Sequence, residues 1–295
     1  MDASLAHREQ AAQLTIGPGR WQRTLSQVVL TLLFLVAGIV FLIPFYWMIL
    51  SSIRSPERIF ADAGSLFPSE VTFVSYENLF SELAFEQWYL NSIIIAFGFA
   101  ILAVTLCTLA AYPLARFNFP FRNVIFITIL ASQMLPFHML LIPLFMMMVN
   151  FKMIDTYIGV ILPLAAHPFG LFYMRQYMLS LSSDILDAAR VDGASEYQLF
   201  LQVVLPLVRP AIGTLFILFS LEGWNDLLWP LIVMRTEEKY TLAVGIAGLV
   251  GLYRQRWDLI MAGAFLATFP IIILFLFMQK QFIAGISSLG SGVEK

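Results

Sequence analysis

The chain has 295 residues, 60% of them hydrophobic and 12% charged, with a net charge of −2. A mean hydropathy of +0.83 lies far outside the range of soluble globular domains, so the chain reads as an integral membrane protein. With no basic patch interleaved with aromatics a nucleic-acid partner is excluded, and the lone Cys107, inside an apolar run, excludes an intrachain disulfide framework or a cysteine metal site.

Taken in chain order, residues 1–24 form a mixed polar tail with Arg8, Arg20 and Arg23. The apolar run that follows, 25–50, is too long for the core of a signal peptide and reads as a retained anchor. A bilayer core about 30 Å thick takes roughly 20 apolar residues per helical span. Windows of that kind fall at 25–50, 88–112, 123–149, 157–178, 211–233 and 259–282, which predicts an all-α protein with six transmembrane helices. Continuous runs favour helices over transmembrane strands, which alternate over about ten residues. Pro44, Pro136, Pro143, Pro163 and Pro168 fall in or near these spans and predict kinks rather than breaks. The loop 51–87 is the longest non-apolar stretch, with Arg54 and Arg58 set against Glu57, Asp62, Glu70, Glu77, Glu82 and Glu86. Arg116 and Arg122 follow the second span, and Arg175, Arg190 and Arg209 surround the loop after the fourth. The positive-inside rule therefore places both termini, including the tail 283–295, and the second and fourth loops in the cytoplasm, with 51–87 outside. Arg235, Lys239, Arg254 and Arg256 of the fifth loop run against that bias.

Between the fourth and fifth spans, 184–210 is a polar, small-residue segment between apolar blocks. Ser183 and Asp184 can cap a short helix over 185–190, and Gly193 supplies a turn. A second helix from Ser195 places Tyr197, Phe200, Leu201 and Val204 on one face before Pro206 and Pro210 limit it. The product is a helix-turn-helix hairpin whose elbow, Ala188, Ala189, Gly193 and Ala194, leaves room for another surface to approach. An amphipathic connector on the membrane would share this period; the small elbow favours a protein partner.

These residues resemble the coupling segment, or EAA loop, of the permease subunits of bacterial ATP-binding-cassette importers. Asp187, Ala188 and Ala189 stand at the family's E-A-A, Asp192, Gly193 and Ala194 at its D-G-A, and Phe200, Leu205, Pro206 and Pro210 at the later positions. Asp187 departs from the usual glutamate while keeping its charge. SSIRSPERIF, VTFVSYENLF, LNSIIIA, AAYPLARFNFPFRN, WNDLLWPLIV and QKQFIAGISSLGSG are similar to further segments of the carbohydrate branch, so only the first twenty or so residues lie outside the resemblance. It implies a type I importer fold in the bacterial inner membrane, with a permease core over 88–282. It also implies a second homologous permease, two cytoplasmic ATPase subunits and an extracytoplasmic substrate-binding protein.

A P-loop needs G-x-x-x-x-G-K-[ST], and none occurs, so ATP and Mg would be used by partner subunits and this chain would need no cofactor. Within the fifth span, Glu222 is followed by Trp224, Asn225 and Asp226. An ionisable group at such depth costs a few kcal/mol by insertion scales, so it should face protein or a watered path. Glu222 is the candidate to accept hydrogen bonds from sugar hydroxyls and to disfavour anionic substrates, with Trp224, Asn225 and Asp226 as further candidates on the substrate path; for Asn225 and Asp226 an internal hydrogen-bonded role is the slightly better reading. His138 and His167 have no ligand-spaced partners and read as structural. Met146, Met147 and Met148 read as packing, and Trp88, Trp229 and Trp257 as an interfacial belt. An ion-coupled transporter using Glu222 and Asp226 is the alternative. An intramembrane enzyme built on Ser132 and His138 has poor geometry, because Pro136 lies between them.

Overall fold

In the computed structural model, residues 20–250 and 256–290 are described. The expected tail up to residue 19, Arg254 and the last residues from 291 lie outside them. Among the described residues every element is helical. Helix α1 (Arg20–Ser52) runs through the first expected span, and α3 (Phe85–Arg116) through the second. The 51–87 loop also contains a helix, α2 (Val74–Glu82), and is held by Arg54, which is wholly buried. Its guanidinium lies 5.5 Å over the Trp47 ring and donates to Ser65 O at 2.9 Å.

The third and fourth spans are broken, not kinked. Helices α4 (Arg122–Ser132) and α5 (Phe137–Asn150) meet at 98°, and the segment Tyr157–Leu164, which opens with α6 (Tyr157–Ile161), meets α7 (Pro168–Ser180) at 51°. The prolines set the sites of the breaks. Pro136 stands immediately before α5 and Pro168 opens α7, positions where a missing N–H costs nothing to the new helix and cannot serve the old one. The hairpin follows as α8 (Ser183–Val191) and α9 (Glu196–Leu207), then a 69° bend into α10 (Arg209–Asn225). The fifth span also divides, at Asp226, into α10 and α11 (Leu228–Val233); after α12 (Leu242–Gly248), α13 (Trp257–Gly290) continues beyond the expected end at 282.

Three uninterrupted helices are long and apolar enough to cross a bilayer, and the bent pairs bring the number up to six. Helix α3 is the central mast. Its Ala96, Ala100, Ala103 and Ala111 are buried, and a Cβ at Gly223 of α10 would lie 3.0 Å from Ala96 Cα, so small residues let these two backbones close on one another. Helix α1 is the opposite case: none of its most apolar window is buried within the chain. In water such a surface could not persist, whereas lipid or a second membrane subunit satisfies it.

Candidate functional site: a braced hairpin and a cleft at the helix breaks

Helix α8 is capped by Ser182, whose Oγ accepts from Asp184 N at 3.2 Å, one residue earlier than expected. After α8, Asp192 N and Ala194 N return to Ala188 O and Ala189 O, and Gly193 takes φ +86°, a left-handed turn open to glycine at little cost. Ser195 and Gln198 then close a reciprocal capping box on α9. The next turn widens to π geometry over Leu199–Val204. That widening ends just before Pro206, whose ring would clash with the carbonyl four residues back in a regular helix.

The π turn corrects the expected face of α9. Leu199 and Val204, five residues apart, are buried, and Phe200 is half-buried, while Tyr197 is 73% exposed and Leu201 also faces outward. Five-residue spacing follows the π turn where the regular helix period fails. The coupling-motif residues divide by direction. Asp187, Ala188, Asp192 and Gly193 are exposed; Ala189, Ala194, Phe200 and Pro206 are half-buried. Val191, 87% exposed, and Ile185 extend the outward face with apolar surface.

The inner side is braced. Leu186, Leu199, Val204 and Val208 share one core with Tyr112, Leu114, Ala115 and Met178. The Arg190 guanidinium donates to Asp187 Oδ1 at 2.8 Å and to Glu196 Oε1 at 2.9 Å, and Tyr112 Oη donates to Glu196 Oε2 at 2.9 Å. Arg116 donates to Met178 O and to Leu181 O, and Arg175 Nε to Leu114 O at 3.0 Å, so the end of α3 is fastened to α7 as well.

A cleft of about 790 Å³ opens where the breaks converge. Ser132, Gln133 and Pro136 come from the α4–α5 break, Ala166, His167 and Pro168 from the break before α7, and Glu222, Asn225 and Asp226 from the end of α10. Ile95 and Phe99 of α3 complete the wall. Broken helices therefore bring three sets of polar groups to one apolar chamber, a placement that continuous helices would not allow. Glu222, half exposed, faces His167 Nε2 at 3.3 Å. The imidazole lies tilted against the Phe219 ring, with centroids 4.6 Å apart, and its buried Nδ1 has no partner among the described residues. Asp226 Oδ1 accepts from Trp229 N at 3.4 Å and so caps α11, while Asn225 Nδ2 donates to Leu221 O at 2.8 Å.

Trp224 departs from its expected place on the path. It is buried on the opposite side, its Nε1 donating to Ala267 O at 3.2 Å and its ring edge-on to Tyr89. His167 was expected to be merely structural; its carboxylate partner lies 55 positions away and no local spacing reveals it. Trp88 and Trp229, expected at an interfacial belt, are buried with donated hydrogen bonds, to Glu237 O at 2.9 Å and Gly159 O at 3.1 Å. Ser132 reaches the cleft but donates to Ile129 O at 2.6 Å, and His138 is not among the lining residues, so the cleft does not bring Ser132 and His138 together.

Comparison with known proteins bears directly on this arrangement. Residues 103–288 match the family model described as binding-protein-dependent transport system inner membrane component. The arabinooligosaccharides transport system permease protein AraQ of Bacillus subtilis (strain 168) is 36% identical, over 90% of this chain and 96% of that one. The lactose transport system permease protein LacG of Rhizobium radiobacter is 30% identical, over 92% of this chain and 97% of that one. The sn-glycerol-3-phosphate transport system permease protein UgpE of Shigella flexneri serotype 5b (strain 8401) is 31% identical, over 85% and 93%. Among solved structures, a chain of a bacterial ABC transporter involved in the import of the acidic polysaccharide alginate superposes with a TM-score of 0.76 at 25% identity, over 91% of this chain and 100% of that chain.

Proposed function

Because this chain belongs to the family of binding-protein-dependent transport system inner membrane components, we propose that its cleft is half of a sugar path and its hairpin the input from a separate ATPase. The chain is a permease subunit of a carbohydrate ABC importer, with the all-helical membrane fold of that class. The ion-coupled alternative gives way to that membership.

The proposed assembly adds a second permease, two ATPase subunits that use ATP and Mg, and an extracytoplasmic binding protein in a bacterial inner membrane. Asp187, Ala188, Asp192 and Gly193 present the docking surface; Ala189, Ala194, Phe200 and Pro206 hold it to the spans. Glu222, with Asn225 and Asp226 beside it, offers acceptors to sugar hydroxyls. The observation that carries the reading is the hairpin itself: a small-residue elbow faces outward while its inner side is built into the core of the second and fourth spans. ATP closure can bias the cleft only if the two states hold that elbow differently.

The test is Ala188→Trp. Ala188 is exposed, so the added indole leaves the hairpin's own packing alone. The variant chain should insert and pair with its permease partner, lose co-purification of the ATPase subunits, and drop uptake at least about tenfold, the equivalent of 1.4 kcal/mol. Full ATPase retention with normal uptake would overturn the docking assignment. Ala189 is a poorer probe, since it packs against the core, and Gly193 confounds bulk with its left-handed φ.

A further inference from the structure

One carboxylate sits between the hairpin and the membrane helices. Glu196, at the first turn of α9, takes Arg190 of α8 on one oxygen and Tyr112 of α3 on the other, each at 2.9 Å. Arg190 also holds Asp187, so Asp187, Arg190, Glu196 and Tyr112 form an unbroken polar chain from the exposed face of α8 to the body of α3. The two ends differ in environment. Asp187 is exposed, whereas Tyr112 is buried, its ring 5.0 Å from Phe200 and 5.3 Å from Phe117. An O–H donated to a carboxylate from a buried ring is stronger and more directional than a neutral pair.

Position along α3 makes this contact different from the others. Pro113 follows Tyr112 and leaves the carbonyl of Leu109 without its helical N–H, so Tyr112 stands in the turn that the proline loosens and depends on side-chain packing for its hold on the helix before it. Arg116 and Leu114, which fasten α3 to α7, lie beyond that proline. Tyr112 lies ahead of it, on the same helix as Phe99 and Ile95 in the cleft wall. At 1.5 Å per residue the cleft is about 20–26 Å from Tyr112 along the axis, and Phe99, Ala103, Cys107, Ala111 and Tyr112 lie in one continuous core that joins the two.

We propose that the Tyr112–Glu196 contact, clamped by Arg190, is the joint through which displacement of the hairpin reaches α3 and the cleft. Both are positioning residues, touching neither substrate nor nucleotide, and the proposal rests on the hairpin being the docking surface. Static stability is not the point of the joint: an exposed carboxylate pair adds little to it.

The experiment uses the assembled importer, with both permeases and the ATPase subunits, in a Cys107→Ala background carrying two spin-label pairs. The pair Ser183→Cys with Ile142→Cys reports hairpin movement against α5. The pair Ile101→Cys with Ile142→Cys reports α3 against α5 across the cleft. Distances are measured without nucleotide and after trapping with ATP and vanadate. In the parent chain both pairs should shift. In Tyr112→Phe, which keeps the ring and its packing, and in Glu196→Gln, which keeps an acceptor, the hairpin pair should still shift while the cleft pair loses at least half of its change. The double variant should lose no more than either single one, because both remove one joint. A cleft pair that shifts as in the parent in both variants overturns the joint, and so do additive losses in the double variant. A hairpin pair that stays still in the parent overturns the docking assignment itself, and the joint with it.

Discussion

Glu222 is the most exposed test of chemistry at single-residue scale. An ionised carboxylate deep in a span costs roughly 2.5–3.5 kcal/mol by insertion scales; His167, at 3.3 Å, and the cleft offset that cost. Among the described residues no lysine or arginine lines the cleft, whose acidic side chains are Glu222 and Asp226. A neutral sugar, donating hydroxyls to Glu222, suits such a wall better than an anion. Glu222→Gln removes a charged acceptor, a change of about 1.5–3 kcal/mol for such hydrogen bonds, and should lower the uptake rate about tenfold with assembly intact. Uptake by that variant at the parental rate and selectivity would remove Glu222 from the path. The sequence makes Glu222 visible because a charge inside an apolar run is a local anomaly. His167 is hidden for the opposite reason: its role depends on a partner 55 residues on, brought near by a break that composition alone reads as a kink. Trp224 shows the converse error, where adjacency in sequence to Glu222 suggested a shared site and helical geometry turns the indole to the other side.

Among elements, the long runs were legible and their interruptions were not. Hydropathy over 123–149 measures burial in lipid, which a helix bent by 98° satisfies as well as a straight one. The hairpin's turn was legible because Gly193 and the Ser195 cap act within a few residues; the π turn was not, since it answers to Pro206 and to the core beneath. Asp155 is another element-scale device without a sequence signature. At φ +59° it joins the end of α5 to the end of α11, accepting from Arg235 N at 2.8 Å, Thr236 N at 3.2 Å and Thr236 Oγ1 at 2.9 Å. Burial alone would raise its carboxyl pKa, but these three donors, helped by Lys239, hold it below the usual value of 3.8. A depressed carboxyl stabilises the fold fully above the unfolded value, and that contribution fades as pH falls through the folded one. The melting temperature of the parent should therefore lose its margin over Asp155→Ala as pH is lowered from 6 towards about 3, at the low end of the carboxylate range. Asp155→Asn, which tolerates the left-handed φ and keeps one acceptor, should retain part of the margin without its pH dependence. A margin over Asp155→Ala that is constant with pH would show that the ionised form is not what binds the two loops.

At the scale of the whole molecule, cations bear on which end of the bundle faces the cytoplasm, and those of the fifth loop oppose those of the hairpin end. Arg116, Arg122, Arg175, Arg190 and Arg209 cluster at the hairpin end. Of the cations at the other end, Arg256 is neutralised by Glu82 at 2.9 Å and Asp258 at 3.0 Å, and Lys239 and Arg235 lie over the rings of Tyr157 and Phe145. The rule counts lysines and arginines near span ends whatever they meet in the fold, and the cluster at the hairpin end, joined by Arg8, Arg20 and Arg23 of the N-terminal tail, keeps the bias in favour of a cytoplasmic hairpin. The single native cysteine makes this testable: Cys107 is buried, so the parent chain should not react with a membrane-impermeant maleimide. Gly64→Cys, where an added side chain meets open space, should label in right-side-out vesicles. Ser183→Cys, exposed on α8, should label only in inside-out vesicles. The reverse pattern would put the hairpin outside, beyond the reach of any ATPase, and would overturn the coupling assignment together with the orientation.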